Sequence, residues 1–354
     1  MRNKIQNERK LIAAWLFVGM VMVFIQIILG GITRLTGSGL SITKWDILMG
    51  ALPPKNQVEW IDAFDLYKQT PQYQRINIGM SIGDFKFIFF WEFFHRLWAR
   101  TMGIVFIIPF IYFLVRKSFD RKLIKHLLVV IGFASLAAVF GWVMVASGLI
   151  ERPWVNAYNL TIHLSIGILL FISLFYTWVD YRGYQKINTA ASMPLFTFCI
   201  MLVGGVQVFF GGLVSGMKSA LSYPNWPKMN GQWIPSIILE SGRWNRQNFL
   251  LYDKSGFVPA LVLFIHRNIA YLLFILIMFF VIKWYQRAGR EWVFISLTLL
   301  GIIVVQLLLG IFTLLHSIGY IPILYGSLHQ ATGIILLVFL FYIYLVNKPQ
   351  YINK

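Results

Sequence analysis

The chain is short of charge, of acid and of cysteine. Only 12% of its 354 residues are charged while 58% are hydrophobic, and the mean hydropathy is +0.70. A water-soluble domain carries roughly a quarter charged residues, so the shortage excludes a set of soluble domains and leaves an integral membrane protein. The single cysteine, Cys199, lies inside an apolar run. No intrachain disulfide and no cysteine-based metal cluster can form. Acidic residues number 13 against 31 Lys and Arg, a net charge of +18. That excess does not indicate nucleic acid as a partner. The basic residues fall in short runs between apolar stretches, which is the pattern of membrane topology.

Eight apolar stretches are long enough to cross a bilayer core of roughly 30 Å: about 11–33, 88–115, 124–150, 157–179, 194–217, 257–282, 291–315 and 322–346. The expected fold is an all-α membrane protein. Lys and Arg concentrate in the N-terminal tail (Arg2, Lys4, Arg9, Lys10) and the second connection (Arg116, Lys117, Arg121, Lys122, Lys125). The fourth connection (Arg182, Lys186), the sixth (Lys283, Arg287, Arg290) and the C-terminus (Lys348, Lys354) continue the pattern. The positive-inside rule then puts both termini in the cytoplasm. Two long connections, about 34–87 and 216–256, fall on the opposite side. Their Pro, Trp and Gly clusters (Trp45 to Pro54; Tyr223 to Pro235) read as compact ordered loops. Val58 to Tyr67 is expected to form a short surface helix. Neither a cleaved signal nor a transit peptide is evident, so the expected site is a bacterial inner membrane, crossed by a multi-pass chain.

The chain repeats itself in halves, 11–180 and 194–346, each expected to be a four-helix bundle. With four spans per half, the repeats should be related by an axis along the membrane normal. The first, fifth and seventh spans share Gln-x-x-x-Gly (Gln26/Gly30, Gln207/Gly211, Gln306/Gly310), and the third has Ala137/Gly141. Each even span carries one histidine: His95, His163, His266 and His329. Counted from the outer ends at about 1.5 Å per residue, all four lie about 10–18 Å deep. Two imidazoles per bundle at matching depth suit the axial ligation of a haem.

One intramembrane histidine is usually a hydrogen-bonding residue between helices. Four, repeated between halves, favour ligation. His126 and His316 stand outside the repeat and read as interfacial. The recurring glycines serve either close helix approach or close approach to a porphyrin face. Arg34, Arg96 and Arg267 either pair with haem propionates or snorkel to the interface. Glu92 breaks the repeat, because its counterpart is Leu263. It shares a helix face with His95. An intramembrane carboxylate there either handles protons and water during an oxidation or holds a ligand imidazole. Since the second half manages without it, the proton-handling role is preferred. The N-terminal half is then expected to hold the reacting haem and the C-terminal half an electron-transfer haem.

These residues, in this order, resemble the haem A synthase family over nearly the whole chain. The matching segments are GGITRLTGSGLSITKWDILMGALPP (30–54), EFFHRLWAR after Trp91 (92–100), GWVMVASGL (141–149) and NLTIHLSIG (159–167). In the second half they are GGLVSG (211–216), YPNWPKMNGQWIP (223–235), FIHRNIAY (264–271), LLGIFTLLH (308–316) and GSLHQATGI (326–334). The resemblance implies oxidation of a ring methyl of haem O to a formyl group, giving haem A for terminal oxidases. It implies His95 and His163 for the substrate haem, Glu92 as needed for activity, and His266 and His329 as ligands of a haem b cofactor. It also implies haem O synthase (protohaem farnesyltransferase) as the donor of substrate, with membrane lipid as the medium and a homo-oligomer as compatible. One branch of the family has cysteine pairs in its outer loops. This chain lacks them and looks like the branch of proteobacteria and mitochondria.

Two rivals remain at the level of residues. A di-haem b-type electron carrier reacting with quinone would need no Glu92. A transporter with parallel repeats would use the histidines as proton relays. The loop segments favour the enzyme.

Overall fold

A computed structural model describes residues 2–43, 52–148, 152–186, 193–285 and 290–347. Trp45 and the loop residues after it to Ala51, the end of the third apolar stretch at 149–150, Arg287, Lys348 and Lys354 lie outside the described residues, as do the side chains of Arg2, Lys4 and Arg290. The chain divides into two compact units, Met1–Gly183 and Tyr184–Lys354.

The first unit contains α1 (Arg2–Leu35), α2 (Gln57–Lys68), α3 (Pro71–Arg75), α4 (Ile82–Val115), α5 (Arg121–Gly148) and α6 (Ala157–Arg182). The second contains α7 (Met193–Gly216), α8 (Ser236–Leu239), α9 (Arg246–Leu250), α10 (Tyr252–Ser255), α11 (Phe257–Tyr285), α12 (Arg290–Leu315) and α13 (Ile323–Asn347). Eight helices among the described residues are long and apolar enough to cross a membrane. They coincide with the eight expected stretches, and the all-α expectation holds.

Helix ends follow local chemistry. α4 starts six residues before the apolar stretch because Ser81 and Asp84 form a reciprocal capping box, satisfying backbone donors that a helix start would leave bare. Asn156 caps α6 by accepting from the backbone of Tyr158 and Asn159. Gly183 ends the same helix with φ +76°, a conformation that costs glycine little.

The long connection between α1 and α4 of the first unit forms an ordered layer over its described residues. The expected surface helix is α2, capped by Asn56, and Thr70 with Pro71 starts α3. Phe64 and Tyr67 of α2 pack on Phe85, Ile88 and Phe89 of α4, with ring centroids of Phe64 and Phe85 5.0 Å apart. Between helices in lipid there is little hydrophobic driving force. At this water-facing end each buried aromatic side chain contributes about 1.5–3 kcal/mol, so the cluster fixes the loop layer onto the bundle. In the second unit the long connection between α7 and α11 folds into short helical turns and a bridge between Met229 and Gln232. Met229 and Ala220 pack there against Leu263 and Leu314.

Helix pairing differs between the units. In the second, α7 packs on α11 and α13, and α12 packs on both α11 and α13, which closes a ring. In the first, α1 packs on α4 and α6, and α5 packs on α6, but α4 and α5 make no extended pairing among the described residues. Burial follows: 6% of the most apolar stretch is buried in α4 and in α5, against 28% in α11 and 17% in α12. The sequence shows part of the cause. Aligned on Gly141 and Gly310, α5 has Ala134, Ala137 and Ala138 where α12 has Ile303, Gln306 and Leu307.

Candidate functional site

Each repeat histidine lies against a glycine on a neighbouring helix. A Cβ added to Gly30 would meet the His95 ring at 3.2 Å, and one on Gly141 the His163 ring at 3.1 Å. One on Gly211 would meet His266 at 3.2 Å, and one on Gly310 would meet His329 at 2.8 Å. These glycines therefore make room for imidazoles. Of the two uses considered for them, close helix approach or a porphyrin face, the first is nearer, and the flat ring they accommodate belongs to the protein.

The glutamines one turn before three of those glycines hold the rings from the side. The Gln26 carboxamide bonds His95 Nε2 at 2.9 Å and donates to the His95 carbonyl at 3.3 Å. Gln207 meets His266 Nε2 at 3.4 Å. In α12 the glutamine works through its backbone: His329 Nδ1 donates to the Gln306 carbonyl at 3.1 Å. That bond fixes the ring and leaves Nε2 as the free nitrogen, the usual arrangement of a ligating histidine. The Gln306 side chain accepts from Thr332 and fills the space over Gly333. Ala137 bonds His163 through its backbone in the same way but has no side chain to fill such a space.

His266 and His329 face each other with ring centroids 6.3 Å apart and planes at 83°. An imidazole nitrogen bonds a transition metal at roughly 2 Å, so two rings on opposite sides of one iron have centroids about 6 Å apart. Buried polar atoms without a hydrogen-bond partner gather at the same places, Gln26 Oε1 beside His95 and Gln207 Oε1 beside His266. His163 lies within electrostatic reach of His95. No group of three or more His, Cys, Asp or Glu side chains assembles among the described residues. A metal held by two histidines alone must bring its other ligands with it, as iron in a porphyrin does. The residues present fit haem.

Glu92 is 2% exposed, and its carboxylate is turned to the outer loop and to Arg96. Oε2 accepts from the backbone of Ser41 at 2.7 Å, from Ser41 Oγ at 2.7 Å and from the backbone of Ile42 at 2.8 Å. Oε1 accepts from Arg96 Nη2 at 2.5 Å. Arg96 also reaches the Ile42 carbonyl at 3.4 Å. In the second unit Arg267 donates to the loop carbonyls of Asn225, at 3.3 Å, and Pro227. Both arginines that follow a histidine thus tie down the outer loop above it. Arg34 occupies the last turn of α1, where a cation complements the helix dipole.

Sequence reasoning singled out Glu92 but missed its holders. Ser41 lies in a run of small polar residues that any turn could contain, and the Ile42 contact is made by backbone. A further chain of bonds supports this loop: Asn77 donates to Tyr67 Oη at 2.7 Å, Tyr67 to Gln72 Oε1 at 3.2 Å, and Gln72 to the Gly37 carbonyl at 2.8 Å. Burial pushes the Tyr67 hydroxyl up to about 12, against a smaller opposing effect of Asn77. Burial also raises Tyr223 in the second loop. The two remaining histidines lie apart. His126 Nδ1 is 3.8 Å from Asp180, which also pairs with Lys122 at 2.6 Å. His316 is bonded to the Phe312 carbonyl at 2.8 Å and lies against Tyr325.

Residues 13–341 match the family model described as cytochrome oxidase assembly protein. The chain is 36% identical to the haem A synthase of Flavobacterium johnsoniae over 342 residues, 94% of this chain and 96% of the relative. It is 38% identical to that of Nitrosospira multiformis, over 93% of this chain and 91% of the relative. It is also 38% identical to that of a Caulobacter species, over 95% and 96%.

Proposed function

The chain belongs to the haem A synthase family of cytochrome oxidase assembly proteins, and from that membership we propose how its two units divide the work of converting haem O to haem A. It is a multi-pass membrane enzyme of haem A biosynthesis. The reaction is oxidation of a ring methyl of haem O to a formyl group. The N-terminal unit binds the substrate between His95 and His163, with Arg34 and Arg96 at the propionate end. The C-terminal unit holds a resident haem b between His266 and His329, with Arg267 above it. Haem b, when bound, supplies one-electron redox chemistry.

The observation that carries this division is the unequal bundle. A ring closed on all sides, with Gln306 and Thr332 filling the space beside His329, suits a cofactor that stays. A bundle unpaired between α4 and α5, with alanines on α5, suits a bulky lipophilic substrate that must arrive and leave.

This chain's residues do the rest. The glycines let the imidazoles approach the neighbouring helix, and the glutamine contacts orient His95 and His266. Glu92, present only in the substrate half, takes one of the two protons released as the hydroxylated methyl gives up two electrons to the enzyme's electron acceptor and becomes the formyl group. The donor of haem O is a haem O synthase. The membrane is a bacterial inner membrane with both termini cytoplasmic, a homo-oligomer being compatible. The alternative of a quinone-linked di-haem carrier is not favoured by the relatives, which are haem A synthases.

The test is haem extraction and mass measurement from cells that make haem O but lack their own enzyme, with and without this chain. Haem A appearing only with the chain supports the reading. Two unreacted b haems and no formylated product overturn it.

A further inference from the structure

We propose that Ser41 is a positioning residue for the oxidation, holding Glu92 against Arg96 so that the carboxylate keeps one fixed orientation above His95. The inference rests on the assignment of Glu92 to the reacting half and goes beyond it by naming the residue through which the loop acts.

The geometry is specific. Three of the four hydrogen bonds to Glu92 come from Ser41 and Ile42, and one of those three is a side-chain bond that substitution can remove. Arg96 closes the ring by contacting both Glu92 and the Ile42 carbonyl. Ser41 is 2% exposed, so its hydroxyl has exchanged water for Glu92 and, more weakly, for the Ile88 carbonyl at 3.4 Å. A donor and an acceptor buried together in this way are costly to separate. The backbone of the loop is itself held. Ser38 bonds back to the Thr33 carbonyl at 2.9 Å, and Gly37, at φ +68°, turns the chain where a side chain would be strained. Gln72 of α3 then bonds the Gly37 carbonyl. The layer of α2 and α3 is thereby linked, through Gly37 and Ser41, to the carboxylate whose place Leu263 takes in the second unit. In the second unit Leu263 replaces Glu92, and the loop is held instead by Arg267 on its carbonyls and by Met229 and Ala220 packing on Leu263 and Leu314.

Oxidation of a methyl to a formyl group passes through the alcohol level. A residue that merely supports the fold lowers alcohol and aldehyde products together, whereas one that orients the proton acceptor changes their ratio. The experiment expresses the full chain as wild type, Ser41→Ala, Ser41→Thr, Gln72→Leu and Glu92→Gln in cells supplying haem O. Extracted haems are resolved by mass, and each product is normalised to the haem b bound by the protein. Ser41→Ala is expected to raise the alcohol-to-aldehyde ratio about tenfold, in the same direction as Glu92→Gln, since a hydrogen bond to a charged group is lost. Ser41→Thr, which keeps the hydroxyl, restores the ratio. Gln72→Leu shifts it by about threefold, acting one link further out.

A wild-type ratio in Ser41→Ala beside an impaired Glu92→Gln overturns the positioning role alone. So does a Ser41→Ala protein in which both products and haem b fall in proportion. Full haem A production by Glu92→Gln overturns the underlying assignment of Glu92, and the positioning role with it.

Discussion

The two units carry the same four-span pattern, two repeat histidines each and a glycine against each of those four, yet they differ in three places. The C-terminal unit is a closed ring of helices, and in the N-terminal one α4 and α5 make no extended pairing among the described residues. The C-terminal unit has Leu263 where the other has Glu92, and Gln306 where the other has Ala137. The open helix pair and Ala137 leave the N-terminal unit roomier near its histidines, and Glu92 adds a charge that the other unit lacks. On the division proposed above, these few side chains separate a site that keeps its ligand from one that transforms it.

The most severe way to erase the contrast is Glu92→Leu, which gives the first unit the second unit's residue. It strands Arg96 and the Ser41 and Ile42 donors in a buried place, at a cost of about 3–5 kcal/mol to the unit. Haem A output is expected to fall by about a hundredfold or more, as when a proton-transfer group is removed. Haem b content reports on the other unit and should persist. Extraction from membranes gives both readings, and unchanged haem A would dissolve the functional contrast between the halves.

A second approach narrows the open bundle. Ala134→Ile with Ala138→Leu restores on α5 the bulk found on α12. The apparent KM for haem O is expected to rise about tenfold, measured in membranes titrated with substrate, with haem b unaffected. An unchanged KM would mean that the space beside α5 is not used by the substrate.

The smallest effect concerns the loop layer that only the first unit links to a carboxylate. Tyr67 has its pKa raised from 10.0 to about 12. The unfolded chain loses this proton first, so the stabilisation is complete below pH 10 and is lost as pH rises toward 12. Thermal melts of the purified protein between those pH values should show a decline that Tyr67→Phe flattens.

How much of this was legible in the sequence depends on the range of the interaction. The eight spans follow from hydropathy alone, because a bilayer imposes length and composition on every helix. The four histidines followed from their recurrence, and the asymmetry at Glu92 from aligning the halves. The glycine spacing was visible, but a missing side chain does not say which flat ring will occupy the gap. Ser41 escaped because its partner is 51 residues away, and two of the three bonds that Glu92 receives from that loop are backbone, which no residue type announces. The unpaired α4 and α5 also escaped, since pairing between helices leaves no period in a single chain. The alanines of α5 were the available signal.

The central claim is that the histidine pairs hold different haems, and one measurement addresses it directly. His95→Ala with His163→Ala, and separately His266→Ala with His329→Ala, are purified from cells supplying haem O, and the bound pigment is extracted and weighed. The account predicts that the first protein keeps haem b while losing haem O and haem A, and that the second loses haem b. Haem b lost from the first and retained by the second would contradict it.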